Sequence, residues 1–231
     1  MPFYLSVNND TIVIEVIIMR IPDHIGIIPD GNRRWAVNKG LSKEMGYSEG
    51  IEPGMQLFRL CQKEGIKELT YYGFTADNTK RPIEQRKAFT KACIKSVELL
   101  SKEDASLLVI GNTSSPMFPE ELLPYTTRTT FGNGKIRVNF LVNYSWKWDL
   151  DYIKKSNSSS NNIINQIETY DVSRVDLIIR WGGRRRLSGF LPVQSIYADF
   201  FIIDAYWPDF KADHFYKALN WYSEQDITLG G

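Results

Sequence analysis

Five short, apolar, β-rich runs separated by longer stretches of helical period constrain this chain more than any other feature. The runs are His24–Ile28, Glu68–Phe74, Ser106–Ile110, Lys135–Val142 and Val175–Arg180. Helical stretches lie over Ile51–Glu64, Ile83–Lys102, Pro119–Arg128, Lys147–Thr169 and Lys211–Tyr222. This alternation predicts an α/β fold: a mainly parallel central sheet flanked by helices on both faces. In such sheets ligands sit beyond the carboxyl ends of the strands, so the loops there are where chemistry is sought. At 231 residues the chain suffices for one well-buried domain and is short for two. Residues 1–21 precede the first run as an N-terminal extension. The polar, low-complexity segment Ser156–Asn162 reads as a surface excursion that breaks the fourth helical stretch.

A net charge of +1 gives no whole-chain signature of nucleic-acid binding, so any preference for anions must come from local clusters of Lys and Arg. The two cysteines, Cys61 and Cys93, fall in helical stretches and fit a reduced, cytoplasmic protein. With two Cys and two His, a Cys-only structural metal site is excluded by count. The most apolar early stretch, Thr11–Ile21, contains Glu15 and Arg20 and is too short and too charged to span a bilayer. No transmembrane segment is expected; peripheral contact with a membrane surface stays open.

Three loops at strand ends carry the chemistry. The first, Pro29-Asp30-Gly31-Asn32-Arg33-Arg34-Trp35, places a carboxylate after a buried strand and a glycine that lets the backbone turn. Asp30 suits a hard cation such as Mg²⁺, which takes one or two carboxylates together with phosphate oxygens. The following helix start and Arg34 suit a phosphate. The bland reading is an Asp-Gly turn capping a helix, with Trp35 in the core. The second loop, Phe74-Thr75-Ala76-Asp77-Asn78-Thr79-Lys80-Arg81-Pro82, brings hydroxyl, carboxylate, amide and guanidinium groups to a strand end. It reads equally as a capped connection with Asp77 or Asn78 as the cap. The third, Arg180-Trp181-Gly182-Gly183-Arg184-Arg185-Arg186-Leu187-Ser188, sets four arginines within seven residues directly after a buried strand. That placement favours an anion site over a solvated basic face or an RNA contact. Together the loops suggest phosphate-rich ligands held by Arg and a metal. Neither a Gly-x4-Gly-Lys-Ser/Thr phosphate loop nor a complete Gly-x-Gly-x-x-Gly is present, against a nucleotide hydrolase or dehydrogenase. His24 reads as a hydrogen-bonded structural residue rather than a base; for His214 the sequence offers no partner.

At these residues the chain resembles the cis-prenyltransferases, the undecaprenyl and dehydrodolichyl diphosphate synthases. The resemblance is carried by His24-x-Gly-Ile-Ile-x-Asp30-Gly-Asn-Arg-Arg-Trp-Ala36, Phe74-Thr-x-Asp-Asn-x-x-Arg81-Pro82 and Asp176-Leu-Ile-Ile-Arg180-x-Gly-Gly-x-x-Arg186-Leu-Ser188-x-Phe190. It continues through Gln194, Tyr197-Ala198-Asp199 and Trp207-Pro208-Asp209-Phe210, with weaker matches at Val109-Ile110-Gly111 and Asn143-Tyr144. It covers about residues 22–231.

The resemblance implies a Mg²⁺-dependent prenyltransferase, working as a homodimer or with a heteromeric partner. An allylic prenyl diphosphate would lose pyrophosphate and be attacked by isopentenyl diphosphate, giving a cis-prenyl diphosphate. Asp30 would hold Mg²⁺ and be catalytic with Asn78 and Arg81. Gly31, Asn32, Arg33 and Arg34 would cradle the allylic diphosphate, with Trp35, Phe74 and Thr75 also on the substrate. Arg180, Arg186 and Ser188 would bind the second diphosphate, and Asp199 would be a second metal ligand. Phe74, with Phe89, Ala92, Leu99 and Leu100 of one helix, would line an apolar tunnel for the chain, or be ordinary core. The chain departs from the family at Tyr47 (usually His), Thr79 (usually Trp), Asp199 (usually Glu), Trp181, Gly182, Arg184 and the tail Thr228-Leu229-Gly230. Several departures lie on the isopentenyl side, and Trp181 is expected to narrow it. Two further readings follow: an irregular condensation of two allylic diphosphates, and the catalytic subunit of a two-chain synthase.

Overall fold

The computed structural model describes residues 3–8, 11–16, 20–155 and 163–226. Two short strands, β1 (Phe3–Asn8) and β2 (Thr11–Val16), form a separate antiparallel hairpin within the N-terminal extension. Ser156–Asn162 and Thr228-Leu229-Gly230 lie outside the described residues.

The main sheet has seven strands: β3 (His24–Ile28), β4 (Glu68–Tyr72), β5 (Ala105–Ile110), β6 (Thr129–Phe131), β7 (Ile136–Leu141), β8 (Leu177–Arg180) and β9 (Asp199–Ile202). Their order is β6-β5-β7-β4-β3-β8-β9, and every pairing is parallel except β5 with β6. The expected α/β class is therefore observed. β3 lies between β4 and β8, so the chain leaves it toward one edge first and returns to its other side last. The carboxyl ends of these three strands form the crevice where connections diverge, the preferred ligand position in such sheets.

Alternation along β3 assigns its two faces. Ile25 and Ile27 enter a core shared with Leu57, Phe58, Cys93, Val97 and Phe215, under α2 (Ile51–Glu64), α3 (Ile83–Leu100) and α5 (Ala212–Ser223). Ile28 enters the opposite core with Tyr72, Phe190 and Leu191, on the side of Trp148 from α4 (Trp146–Lys155). Gly26 also faces Phe190: a Cβ there would stand 2.5 Å from its ring. Burying both faces accounts for the apolar run His24–Ile28, all five residues of which are buried.

Several boundaries differ from expectation. Pro119–Arg128 is not an α-helix but a 3₁₀ turn over Glu120–Tyr125. Pro124 lacks the N–H and crowds the preceding turn, and the chain then runs into β6. β4 ends at Tyr72, leaving Gly73 and Phe74 to the loop. In the fourth helical stretch the described residues form α4 up to Lys155 and a short 3₁₀ turn, Ile163–Gln166. β6 and β9 have three and four residues, too short for a periodic signal.

Candidate active site

The three loops converge as expected. Gly31, at φ +108, turns the chain from β3 into α1 (Asn32–Asn38), a conformation an L-residue with a Cβ rarely adopts. Around this turn lies a cleft of about 890 Å³. Asp30, Gly31, Asn32, Arg33, Arg34, Thr75, Asn78, Arg81, Arg180, Arg186 and Ser188 all line it. Its wall carries seven basic side chains, the six arginines 33, 34, 81, 180, 184 and 186 with Lys43, against the two carboxylates Asp30 and Asp77. Lys43 and Tyr206 were not singled out in the sequence. Both lie outside the three loops, Lys43 in the segment after α1 and Tyr206 just before the turn Trp207–Asp209.

Asp30 is the electrostatic centre. Its Oδ2 accepts a 2.7 Å hydrogen bond from Arg180 Nη2, and its Oδ1 lies 3.3 Å from Arg34 Nη2. Burial works against ionisation, but the hydrogen bond and charge of Arg180, with Arg34 and the Gly31 N–H, hold the carboxyl below its ordinary range. Arg180 is buried and also donates from Nη1 to Ser188 Oγ at 2.9 Å and to the Arg186 carbonyl. Gly182, at φ +82, gives Arg34 its room: a Cβ would stand 2.5 Å from Arg34 Nη2. Arg34 also lies over the Tyr206 ring, 5.1 Å from its centroid. In the second loop Thr75, not Asp77 or Asn78, is the N-cap of the turn Ala76–Lys80, and its N–H donates to Asn78 Oδ1 at 3.2 Å. Asp77 pairs with Lys80 at 3.0 Å. Asn32 donates to the Pro29 carbonyl, leaving its buried Oδ1 without a partner.

Three expected residues do not reach the cleft wall. Trp35 Nε1 donates 2.8 Å to Asp209 Oδ1, tethering α1 to the turn Trp207–Asp209. Phe74 is buried behind Phe89, edge to face with ring centroids 5.5 Å apart. Asp199 opens β9 level with Leu177, while Arg180, at the cleft, is level with Ile202. It therefore stands toward the opposite end of the sheet, 3.8 Å from Arg20, and within one chain is no partner of Asp30. The expected narrowing by Trp181 is also absent. Its ring is fully buried against Trp207 and Phe210 and donates 3.4 Å to His214 Nδ1, which accepts the Lys211 N–H as well. Trp181 is core, and His214 has its partners. His24 is buried at the other end of β3, its ring on Thr70 Oγ1 at 2.8 Å and the Ser173 carbonyl at 3.0 Å.

Beside the cleft is an apolar slot of about 60 Å³, sharing Pro29, Asn32, Tyr47, Gly73 and Phe89 with it. Phe89, Ala92, Cys93, Ser96 and Leu100 of α3 line it, the i, i+3, i+4, i+7 spacing of one helical face. Leu99 points off that face into the neighbouring packing. Burial pushes the Cys93 thiol up to about 12, so it is wall rather than nucleophile.

Among the described residues no three His, Cys, Asp or Glu side chains gather as a metal site. Asp30 is an ionised carboxylate at the centre of a strongly basic cleft, whose wall also carries Asp77, paired with Lys80. That donor set fits a Mg²⁺ ion completed by diphosphate oxygens. No helix of the described residues is long and apolar enough to cross a membrane.

Fold and site thus define an α/β protein with a strongly basic cleft, suited to anions, at the carboxyl ends of its central strands. A family model described as "Putative undecaprenyl diphosphate synthase" matches residues 28–230. A ditrans,polycis-undecaprenyl-diphosphate synthase ((2E,6E)-farnesyl-diphosphate specific) of Yersinia pseudotuberculosis is 31% identical over 92% of this chain and 91% of its own. An isoprenyl transferase of Prochlorococcus marinus is 32% identical over 92% of this chain and 87% of its own. The crystal structure of lavandulyl diphosphate synthase from Lavandula x intermedia, in complex with dimethylallyl diphosphate, superposes with a TM-score of 0.80 at 20% identity. It covers 91% of this chain and 99% of that one, and shares the fold. The chain belongs to the cis-prenyltransferase family.

Proposed function

We propose that the protein condenses an allylic prenyl diphosphate with isopentenyl diphosphate to a cis-prenyl diphosphate, as a Mg²⁺-dependent homodimer. The observation that carries this reading is the cleft itself: seven cationic side chains against two carboxylates, with Asp30 at the centre, opening beside an apolar slot. Two diphosphates supply the charge such a cleft attracts, and the slot suits a hydrocarbon tail. The relatives named above act on substrates of this chemistry.

In the reaction the allylic C–O bond breaks and pyrophosphate leaves with the electron pair. The isopentenyl double bond attacks the allylic carbon, and a proton lost from the adjacent carbon leaves the new double bond. Arg34, Arg33 and Arg81 stabilise charge growing on the leaving group, with Gly31 and Asn32 bringing backbone close to it. Thr75 and Asn78 sit at the reacting centre. Arg180, Arg186 and Ser188 hold the second diphosphate, and Arg184 adds a further cation on that side. Asp30 would hold Mg²⁺ against the diphosphate oxygens, and the ion would supply further charge neutralisation of the leaving group. Ion pairing with Arg180 and Arg34 keeps Asp30 charged and aimed at the cleft between turnovers.

The test is a purified-enzyme assay with dimethylallyl and isopentenyl diphosphates offered separately and together, read by product mass and double-bond geometry. A cis product that requires isopentenyl diphosphate is expected; a product from the allylic diphosphate alone would move the protein to irregular condensation. Asp30→Ala should lower kcat by about two to three orders of magnitude, the scale of losing one preorganised electrostatic group. Near-normal turnover in that variant would reject the role of Asp30.

A further inference from the structure

Tyr47 stands where cleft and slot meet and lines both. It lies in the 3₁₀ segment Lys43–Gly50, whose backbone is packed on α1 so closely that a Cβ at Gly46 would meet the Asn32 carbonyl oxygen at 2.1 Å. That packing fixes the ring, which is 4% exposed. The ring stacks on Phe89 of α3, with centroids 4.5 Å apart and planes 6° from parallel. Its hydroxyl accepts a 2.8 Å hydrogen bond from Arg81 Nη1. The Arg81 guanidinium in turn lies over Phe89, 5.5 Å from the ring centroid. Three side chains from three segments thus form one closed contact.

The charge arrangement gives this contact a purpose. Arg180 is aimed by a carboxylate, Asp30, which neutralises much of its charge at a distance of 2.7 Å. Arg81 makes no such ion pair among the described residues. A phenol and an aromatic face orient it without a paired carboxylate, and Asp30 acts on its charge only from beyond ion-pair distance. Burial raises the Tyr47 hydroxyl above its ordinary pKa, against Arg81 and Arg33, so the partner stays neutral across the working range. A guanidinium held still, half-buried and without an ion-pair partner is prepared for an incoming anion.

We propose that Tyr47 is a positioning residue for the prenyl-diphosphate substrate, holding Arg81 against Phe89 as a free cation at the mouth of the apolar slot. This rests on the functional reading above and assigns Tyr47 a part in it: the headgroup meets Arg81 as the tail enters beside the stacked rings. Tyr47→Phe keeps the ring and removes only the acceptor of Arg81.

The experiment compares the full-length wild type, Tyr47→Phe, Arg81→Met and the double variant. Inorganic pyrophosphate binding is measured by calorimetry, and steady-state kinetics are measured with the allylic diphosphate varied. Tyr47→Phe should weaken pyrophosphate about tenfold, the scale of one lost charge-assisted hydrogen bond. It should raise KM for the allylic diphosphate by a similar factor and lower kcat as well, because Arg81 also meets the charge growing on the departing pyrophosphate. In the Arg81→Met background the same change should be silent, because Tyr47 acts through Arg81. Wild-type binding in Tyr47→Phe, or an equal loss in both backgrounds, overturns the proposal. Failure of the functional reading appears separately: a wild type that binds pyrophosphate but yields no prenyl product rejects prenyl transfer, while the four binding constants still decide the role of Tyr47.

Discussion

His24 opens the five-residue strand β3 and Asp30 lies in the loop just past its other end, and their surroundings push the two groups toward opposite uses. Asp30 meets Arg180 and Arg34 at the cleft and is held ionised. The His24 ring meets only neutral oxygens directly, Thr70 Oγ1, Ser173 Oγ and the carbonyls of residues 173 and 174, and burial lowers its pKa despite the nearby charges of Glu68 and Asp176. A neutral imidazole in the folded chain takes up a proton less readily than the same group unfolded. Between the two pKa values the unfolded state binds more protons, so stability rises with pH in that window. The stabilisation is intact above the unfolded value of about 6.5 and is lost as pH falls through it toward the lower folded value. Thermal melts should therefore show Tm falling between about pH 7 and pH 5, with a shallower fall in His24→Asn, which titrates at neither end. The sequence showed the acid at a strand end and the histidine at a strand start. It did not show that Asp199, six residues before Ala205 in a familiar-looking run, would start its strand at the far end of the sheet. That depends on the β8–β9 register, which four half-exposed residues do not announce.

At the scale of elements, α3 walls the apolar slot, and on the proposed reading it would limit how much hydrocarbon enters. One face of this 18-residue helix presents Phe89, Ala92, Cys93, Ser96 and Leu100 to the slot. The slot measures about 60 Å³, against about 890 Å³ for the neighbouring cleft. On the proposed reading, a prenyl tail entering the slot would displace side chains along that face or move α3 from the core. Leu100, 1% exposed at the end farthest from Arg81, is the floor. Leu100→Ala should shift the product distribution toward longer chains, read by mass spectrometry. It should also cost about 2–5 kcal/mol of stability in denaturant unfolding, from lost transfer energy and the space left behind. Helical spacing made this face visible in the sequence. It did not separate tail wall from ordinary core, because both want apolar residues at the same period. Leu99 shows the limit: it is adjacent to Leu100 in sequence and as apolar, yet a 100° step around the helix turns it away.

For the whole molecule, a net charge of +1 hides a strong separation of charge. Seven cations and two carboxylates on the cleft wall leave the rest of the surface balanced or slightly acidic. The field is local, so diphosphate binding should depend on salt even though the protein as a whole is nearly neutral. Raising NaCl from about 0.05 to about 0.5 M should raise KM for both diphosphates several-fold, with kcat little changed, as the screening length contracts from above about 10 Å toward about 3 Å. The sequence by itself determined the α/β class, the strand-end loops and the ligand chemistry they carry, because strand period, glycine turns and arginine clusters are local and leave local marks. Only the tertiary structure decided which side chains share the cleft. It brought in Lys43, Tyr47 and Tyr206, put Trp181 into the core and left Asp199 behind. Those assignments follow from strand order, register and helix rotation, which are fixed by packing between segments far apart in the chain.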